Sequence, residues 1–142
     1  MELLILLSLL LTPPYAPDGG MTPGTYCTPN SVDFHEYRYQ ERIPYCRRNV
    51  SSATKQRVYD AYGIPSRSRG SAGGYTIDHL IPLSIGGDNS EDNLWPEHES
   101  VKATRQNLEL DLYNKLKAGE ITQDEAVNQV LEAKRNCCFM RD

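Results

Sequence analysis

Residues 75–98 of this 142-residue chain read YTIDHLIPLSIGGDNSEDNLWPEH. The centre of this stretch is the pair Asp78 and His79, which stands inside an apolar run. Burying such a pair is costly, because both side chains need polar partners and the carboxylate resists losing water. The pair therefore indicates a functional site.

The same stretch has the pattern of two strands joined by a turn. Residues 75–81 are rich in β-branched and aromatic side chains, which predicts a strand. Residues 86–90 are a dense turn signal that folds the chain back, so that residues 93–95 become a second strand. Leucines at helical spacing in residues 100–118 then predict a helix that stops at Gly119.

This pattern resembles the ββα-metal core of HNH endonucleases. Small bacterial members of that family carry Asp-His-Leu-Ile-Pro-Leu, Gly-Gly and Asn-Leu-Trp-Pro motifs, and this chain has all three within residues 75–96. The match is looser through the helices as far as residue 134. The resemblance implies an α+β fold, with a small single domain, a ββα-metal (HNH-type) core over residues 75–118 and flanking helices.

The resemblance also implies hydrolysis of phosphodiester bonds with a divalent metal ion. His79 can be neutral near pH 7 and accept a proton from water, which makes it the candidate general base. Asp78 is a candidate metal ligand, because a carboxylate suits Mg²⁺ or Mn²⁺; Zn²⁺ is a further candidate. In a regular strand these two side chains point to opposite faces, and in the family a local distortion lets both serve one site. Asn93 is expected to tie the loop across the hairpin and so orient His79.

Relatives usually supply a second metal ligand from the helix that follows the hairpin. His98, near the start of that helix, is the expected ligand, and Gln106 and Asn107 are alternatives. His98 also has the simpler interpretation of a helix-start residue with a surface contact. Lys102 or Arg105 is expected to bind a phosphate oxygen, although an exposed salt-bridge ladder explains them equally well.

Charge is segregated along the chain, although the formal net charge is only -4. Basic residues dominate residues 38–69, whereas residues 88–132 are strongly acidic. Nucleic-acid binding follows the local field on one face, so Arg47 and Arg48 are expected to contact phosphates. A solvated surface is the alternative. The interleaved tyrosines suit base stacking or a small aromatic core.

The N-terminal residues indicate export. Residues 3–11 are almost wholly apolar, too few to span a bilayer but the right size for a signal peptide. Cleavage is expected near Ala16, so that residues 1–20 are the signal peptide and the start of a linker and residues 21–142 are the nuclease domain. Residues 12–29 are expected to be an extended arm with little to pack. An uncleaved apolar N-terminus is the alternative.

Four cysteines favour disulfides in an exported protein of this size: Cys27, Cys46, Cys137 and Cys138. The three pairings remain open. A zinc cluster competes, but its Cys-x-x-Cys knuckle is missing.

Local signals predict two further helices and a loop. Ser51 or Ser52 caps a helix that runs to about Tyr62, and Thr122 with Glu125 forms a capping box for a last, structural helix. Residues 66–74 are mostly Ser, Arg and Gly, which predicts a flexible loop.

The sequence therefore predicts an exported endonuclease, periplasmic or secreted, that cuts DNA without sequence preference; RNA is a second candidate substrate. Non-specific cutting is expected because no zinc finger or recognition helix is apparent. The protein is expected to be a monomer without stable membrane association after signal cleavage. Two alternatives are a catalytically silent exported nucleic-acid-binding protein and a secreted antibacterial nuclease toxin, whose partner would be an immunity protein.

Overall fold

A computed structural model describes residues 15–136, which form a small α+β domain of two β-hairpins and four helices. The first hairpin pairs β1 with β2, and the second pairs β3 with β4, both antiparallel. The strands are β1 (Phe34–Arg38), β2 (Ile43–Cys46), β3 (Tyr75–His79) and β4 (Leu94–His98). The helices are α1 (Ser52–Ala61), α2 (Glu99–Lys102), α3 (Leu108–Lys117) and α4 (Gln123–Arg135). No helix within residues 15–136 is long and apolar enough to cross a membrane; most of the expected signal peptide lies outside these residues.

The hairpin predicted from residues 75–98 is confirmed, and helical segments follow it directly. Asp78 lies opposite Trp95 in the β3–β4 register, and His79 lies opposite Leu94. Strand β3 ends at His79, two residues earlier than predicted. The chain order of strand, long loop, strand and helix therefore agrees with the expectation, and His79 is the last residue of its strand.

The single helix predicted for residues 100–118 is wrong, because the chain bends within it. Helix α2 passes into a 3₁₀ turn over residues 103–105, and α3 begins only after Asn107. Val101 packs against Leu80 and Trp95, whereas the buried leucines of α3 pack in a different cluster around Ile81. Since the two apolar sets belong to different parts of the core, the bend lets both be buried. The leucine spacing contains no signal for it.

The expectation that residues 12–29 have little to pack is wrong for their described part. Thr22 is fully buried, and its Oγ1 donates a hydrogen bond to Leu94 O at 3.0 Å. A disulfide joins Cys27 to Cys46 and so fastens this segment to the end of β2. This bridge selects one pairing for those two cysteines; Cys137 and Cys138 lie outside the described residues.

The two capped helices are confirmed, whereas the loop between α1 and β3 is more ordered than expected. Ser51 caps α1, and the Thr122 capping box starts α4. In the loop, the Arg69 guanidinium donates to Gln56 Oε1 at 2.6 Å and to Asp60 Oδ1 at 2.7 Å. These bonds tie the loop to α1.

Candidate active site

A cleft of about 310 Å³ opens where β3 ends, between the residues that follow β2 and the helices α2 and α3. Four of the residues singled out in the sequence line it, namely Asp78, His79, Arg48 and Lys102. Glu109 from α3 also lines it. The structure thus brings the Asp-His pair to one cleft with two cationic side chains and a further carboxylate.

His79 is nearly buried, with 5% of its surface exposed, and its ring is held at one nitrogen. Its Nε2 lies 3.0 Å from Asn89 Oδ1. That oxygen also accepts a hydrogen bond from Asn49 N, so it acts as an acceptor and His79 Nε2 carries the hydrogen. In neutral imidazole the other nitrogen, Nδ1, then has the lone pair. Within the described part of the chain Nδ1 makes no hydrogen bond and is left to take up a proton.

Asn89 is itself fixed by its surroundings. Its Nδ2 donates to Asp33 Oδ2 at 3.0 Å and to Arg47 O at 2.7 Å. Sequence reasoning missed Asn89, because it stands in a turn signal where asparagine is common for conformational reasons. The contact that orients His79 therefore comes from the loop of the hairpin and is held by the residue after β2 and by the segment before β1.

Burial lowers the pKa of His79 below its ordinary value of 6.5. The hydrogen bond that His79 donates to Asn89 opposes this shift, and the charge of Arg48 adds to it. A lowered pKa keeps the imidazole neutral at pH 7, which is the form that can accept a proton.

Asn93 ties the loop across the hairpin as expected, but it does not line the cleft. Its side chain is fully buried, accepts from Ile81 N at 3.0 Å and donates to Ile81 O at 3.0 Å and Asp88 O at 2.9 Å. These bonds fix the backbone two residues beyond His79. Asn93 therefore holds the backbone beyond His79, whereas Asn89 contacts the imidazole ring directly.

One carboxylate oxygen of Asp78 is held by two side chains of the protein core. Its Oδ2 accepts hydrogen bonds from Trp95 Nε1 at 3.0 Å and from Lys134 Nζ at 2.8 Å. Lys134, on α4, is fully buried and lies 3.5 Å from Glu109 Oε2. Sequence reasoning missed this lysine, because a cation in the last turn of a helix is typical of an exposed helix end.

His98 is not brought to Asp78, and its expected role as a metal ligand receives no support from its position. It caps α2, where its Nδ1 accepts from Ser100 N at 3.2 Å, and its ring contacts the edge of Tyr75 at 4.9 Å between centroids. This agrees with the simpler interpretation of a helix-start residue. Of the alternatives, Asn107 precedes α3, and Gln106 lines a neighbouring cavity.

The four basic side chains predicted to bind phosphate divide into two pairs. Arg48 and Lys102 line the cleft. Arg105 instead forms an ion pair with the buried carboxylate of Glu97, and Arg47 Nη2 lies 3.2 Å from His35 Nε2. Of these four side chains, only Arg48 and Lys102 line the cleft, and Arg105 is already paired with Glu97.

A second cavity of about 490 Å³ adjoins the cleft and shares Lys102 and Glu109 with it. Glu97, 1% exposed, forms part of its wall, and Glu97 Oε1 is buried without a hydrogen-bond partner. Burial raises the pKa of Glu97, and the nearby charge of Asp78 raises it further, while Arg105 opposes the shift. An unpaired buried carboxylate oxygen beside Glu109 is an acceptor that a cation can satisfy.

The carboxylates that the cleft offers to a metal ion are those of Asp78 and Glu109. Among residues 15–136 no group of three or more His, Cys, Asp or Glu side chains is placed to hold a metal ion. Mg²⁺ is commonly held by one or two carboxylates, with water and a substrate phosphate in the remaining positions. Asp78 and Glu109 fit that requirement. Comparison of the chain with models of protein families, with curated proteins and with solved structures finds no match.

Proposed function

We propose that this protein is a divalent-metal-dependent endonuclease of the HNH type that hydrolyses phosphodiester bonds of DNA, with RNA as a second candidate substrate. One observation carries the proposal: a nearly buried histidine, fixed through Nε2 by Asn89, lines a cleft together with a carboxylate and two cationic side chains. Such a histidine is suited to act as a general base on water beside an anionic substrate.

His79 Nδ1 takes a proton from the attacking water in the proposed mechanism. The imidazolium that forms keeps its Nε2–H bond to Asn89 Oδ1, so the ring does not have to turn during the transfer. The neutral form at rest is favoured by burial and by the charge of Arg48. His79 is therefore ready to accept a proton at pH 7.

Arg48 and Lys102 bind non-bridging oxygens of the scissile phosphate and neutralise its charge. Asp78 and Glu109 are the residues that would hold the divalent ion. When bound, that ion would act as a Lewis acid on the phosphate and stabilise the leaving oxygen. Asn93 and Trp95 keep the hairpin end and the Asp78 carboxylate in place.

The β1–β2 hairpin supports a nucleic-acid partner. Arg38 lies over the ring of Tyr45 at 3.5 Å, and Arg42 lies over Tyr37 at 4.5 Å. Basic and aromatic side chains together suit a nucleic-acid backbone and its bases. The two pairs lie on opposite faces of the hairpin, since Tyr37 and Arg38 are adjacent in β1. Because β2 leads directly to Arg48 in the cleft, the hairpin and the cleft can contact one nucleic-acid molecule.

The Cys27–Cys46 disulfide supports an exported location, periplasmic or secreted, since such bonds persist in oxidising compartments. The active form is proposed to be a monomer.

Cleavage of supercoiled plasmid tests the proposal. The purified chain should nick plasmid, lose the activity in EDTA, and recover it when Mg²⁺ or Mn²⁺ is added back; Zn²⁺ should restore little. A well-folded chain that binds plasmid but cuts it with none of these ions would contradict the proposal and identify a catalytically silent binding protein.

A further inference from the structure

Lys134 places a fixed positive charge beneath the candidate active site. Its side chain is fully buried, and Nζ lies 2.8 Å from Asp78 Oδ2, 2.7 Å from His79 O and 3.1 Å from Leu80 O. Three acceptors around one nitrogen require three N–H donors, which only the ammonium form supplies. Lys134 thus binds both the carboxylate and the end of the strand that carries His79.

This ammonium faces carboxylates on three elements. Asp78 on β3 is in direct contact with Lys134, and Glu109 on α3 lies 3.5 Å from it. The charge of Lys134 also lowers the pKa of Glu97 on β4, against the effect of burial. Glu97 is already paired with Arg105. Asp78 and Glu109, the two carboxylates assigned to the divalent ion, therefore share one buried cation.

We propose that Lys134 is a permanent positive charge in the candidate active site. It positions the Asp78 carboxylate from the protein core, and it keeps the affinity for a divalent ion low in the protein without nucleic acid. This inference rests on the proposed function, because it concerns the same two carboxylates. A unit positive charge a few ångströms from a divalent ion repels it. Since Mg²⁺ sites are often completed by substrate phosphate, the ion then binds together with the nucleic acid.

Lys134→Met separates the charge of Lys134 from the shape of its side chain. Methionine is similarly long and unbranched, and Trp95 Nε1 still holds Asp78 Oδ2 after the change. The affinity of the free protein for Mn²⁺ should therefore rise about tenfold or more. A purely structural lysine predicts the opposite, because a loosened carboxylate binds the ion more weakly.

The measurement is a calorimetric titration of the full chain with Mn²⁺ in the absence of nucleic acid. Lys115→Met is the matched control, since Lys115 Nζ lies 3.1 Å from Asp111 Oδ2 on an exposed helix face and does not line the cleft. Its affinity should equal that of the wild type. Circular dichroism verifies the fold, and Lys134→Gln serves in the same titration if the methionine variant does not fold.

Adding a short DNA duplex to the His79→Ala protein completes the test. DNA should strengthen Mn²⁺ binding strongly when Lys134 is present, and less when methionine replaces it in the same background. An unchanged or weaker Mn²⁺ affinity of the folded Lys134 variants, or no effect of DNA, would overturn the inference. These titrations require no cleavage, so a wild-type chain that fails to cut plasmid contradicts the proposed function by a separate result.

Discussion

Replacing Asn89 with alanine tests whether the base is oriented from the loop of the hairpin. The side chain contacts His79 Nε2 at 3.0 Å, Asn49 N at 3.2 Å, Asp33 Oδ2 at 3.0 Å and Arg47 O at 2.7 Å. At about 0.5–1 kcal/mol for each of these four partly solvated bonds, the free energy of unfolding should fall by about 2–4 kcal/mol. A positioned general base contributes about 10²–10⁴ in rate, so losing its orientation but not the imidazole should slow cleavage about 10- to 100-fold.

The pH dependence of the cleavage rate is a second property that should change in the Asn89→Ala variant. The hydrogen bond that His79 donates to Asn89 raises the pKa of His79 against the effect of burial, so its removal should lower that pKa further. A base is active when neutral, and the rise of rate with pH should therefore move to lower pH than in the wild type. Initial rates of plasmid nicking from about pH 5 to 8, at fixed Mg²⁺, measure this shift.

Asn49→Ala is the control for the Asn89 variant. Asn49 Nδ2 donates to Asp33 Oδ1 at 2.8 Å, but its side chain does not contact His79. This control should lose some stability while the pH profile stays unchanged. A folded Asn89→Ala protein with the wild-type rate and the wild-type profile would refute the assigned role of Asn89.

Two further predictions concern Arg48 and the disulfide. Arg48→Gln removes a charge that lowers the pKa of His79, so the rise of the cleavage rate should move to higher pH and DNA binding should weaken. Arg47→Gln, the adjacent change outside the cleft, should leave the pH profile unchanged. Equal shifts in both variants would contradict the effect of Arg48 on His79. Reducing the Cys27–Cys46 bridge, which spans a sequence separation of 19, should destabilise the fold by about 3 kcal/mol and lower the midpoint of thermal unfolding; an unchanged midpoint, with reduction confirmed by alkylation and mass, would show that the bridge adds no stability.

Local signals in the sequence were sufficient for much of the fold. The hairpin of residues 75–98 and the helices α1 and α4 were predicted because turn residues, caps and apolar periodicity act between near neighbours. The β1–β2 hairpin was missed, since most of β1 is exposed and leaves no alternation of apolar and polar residues to recognise. The bend between α2 and α3 was missed because it depends on which part of the core each helix meets.

The residues of the candidate site show the same contrast between local signals and contacts across the fold. Asp78 and His79 were singled out because a charged pair in an apolar run is conspicuous, and Asn93 because its motif is. Lys134 contacts Asp78 across 56 residues of sequence, and no spacing rule connects positions so far apart. His98 was favoured by its position after the second strand, but the strand continues to it and carries it away from Asp78.

His79→Ala in the plasmid assay decides whether His79 is the general base of a metal-dependent endonuclease, which we claim here. The variant keeps Asp78 and Glu109, so its Mn²⁺ titration should match that of the wild type, while the rate of cleavage in Mg²⁺ should fall by about a hundredfold or more. A correctly folded His79→Ala protein that cuts plasmid at the wild-type rate would contradict the claim.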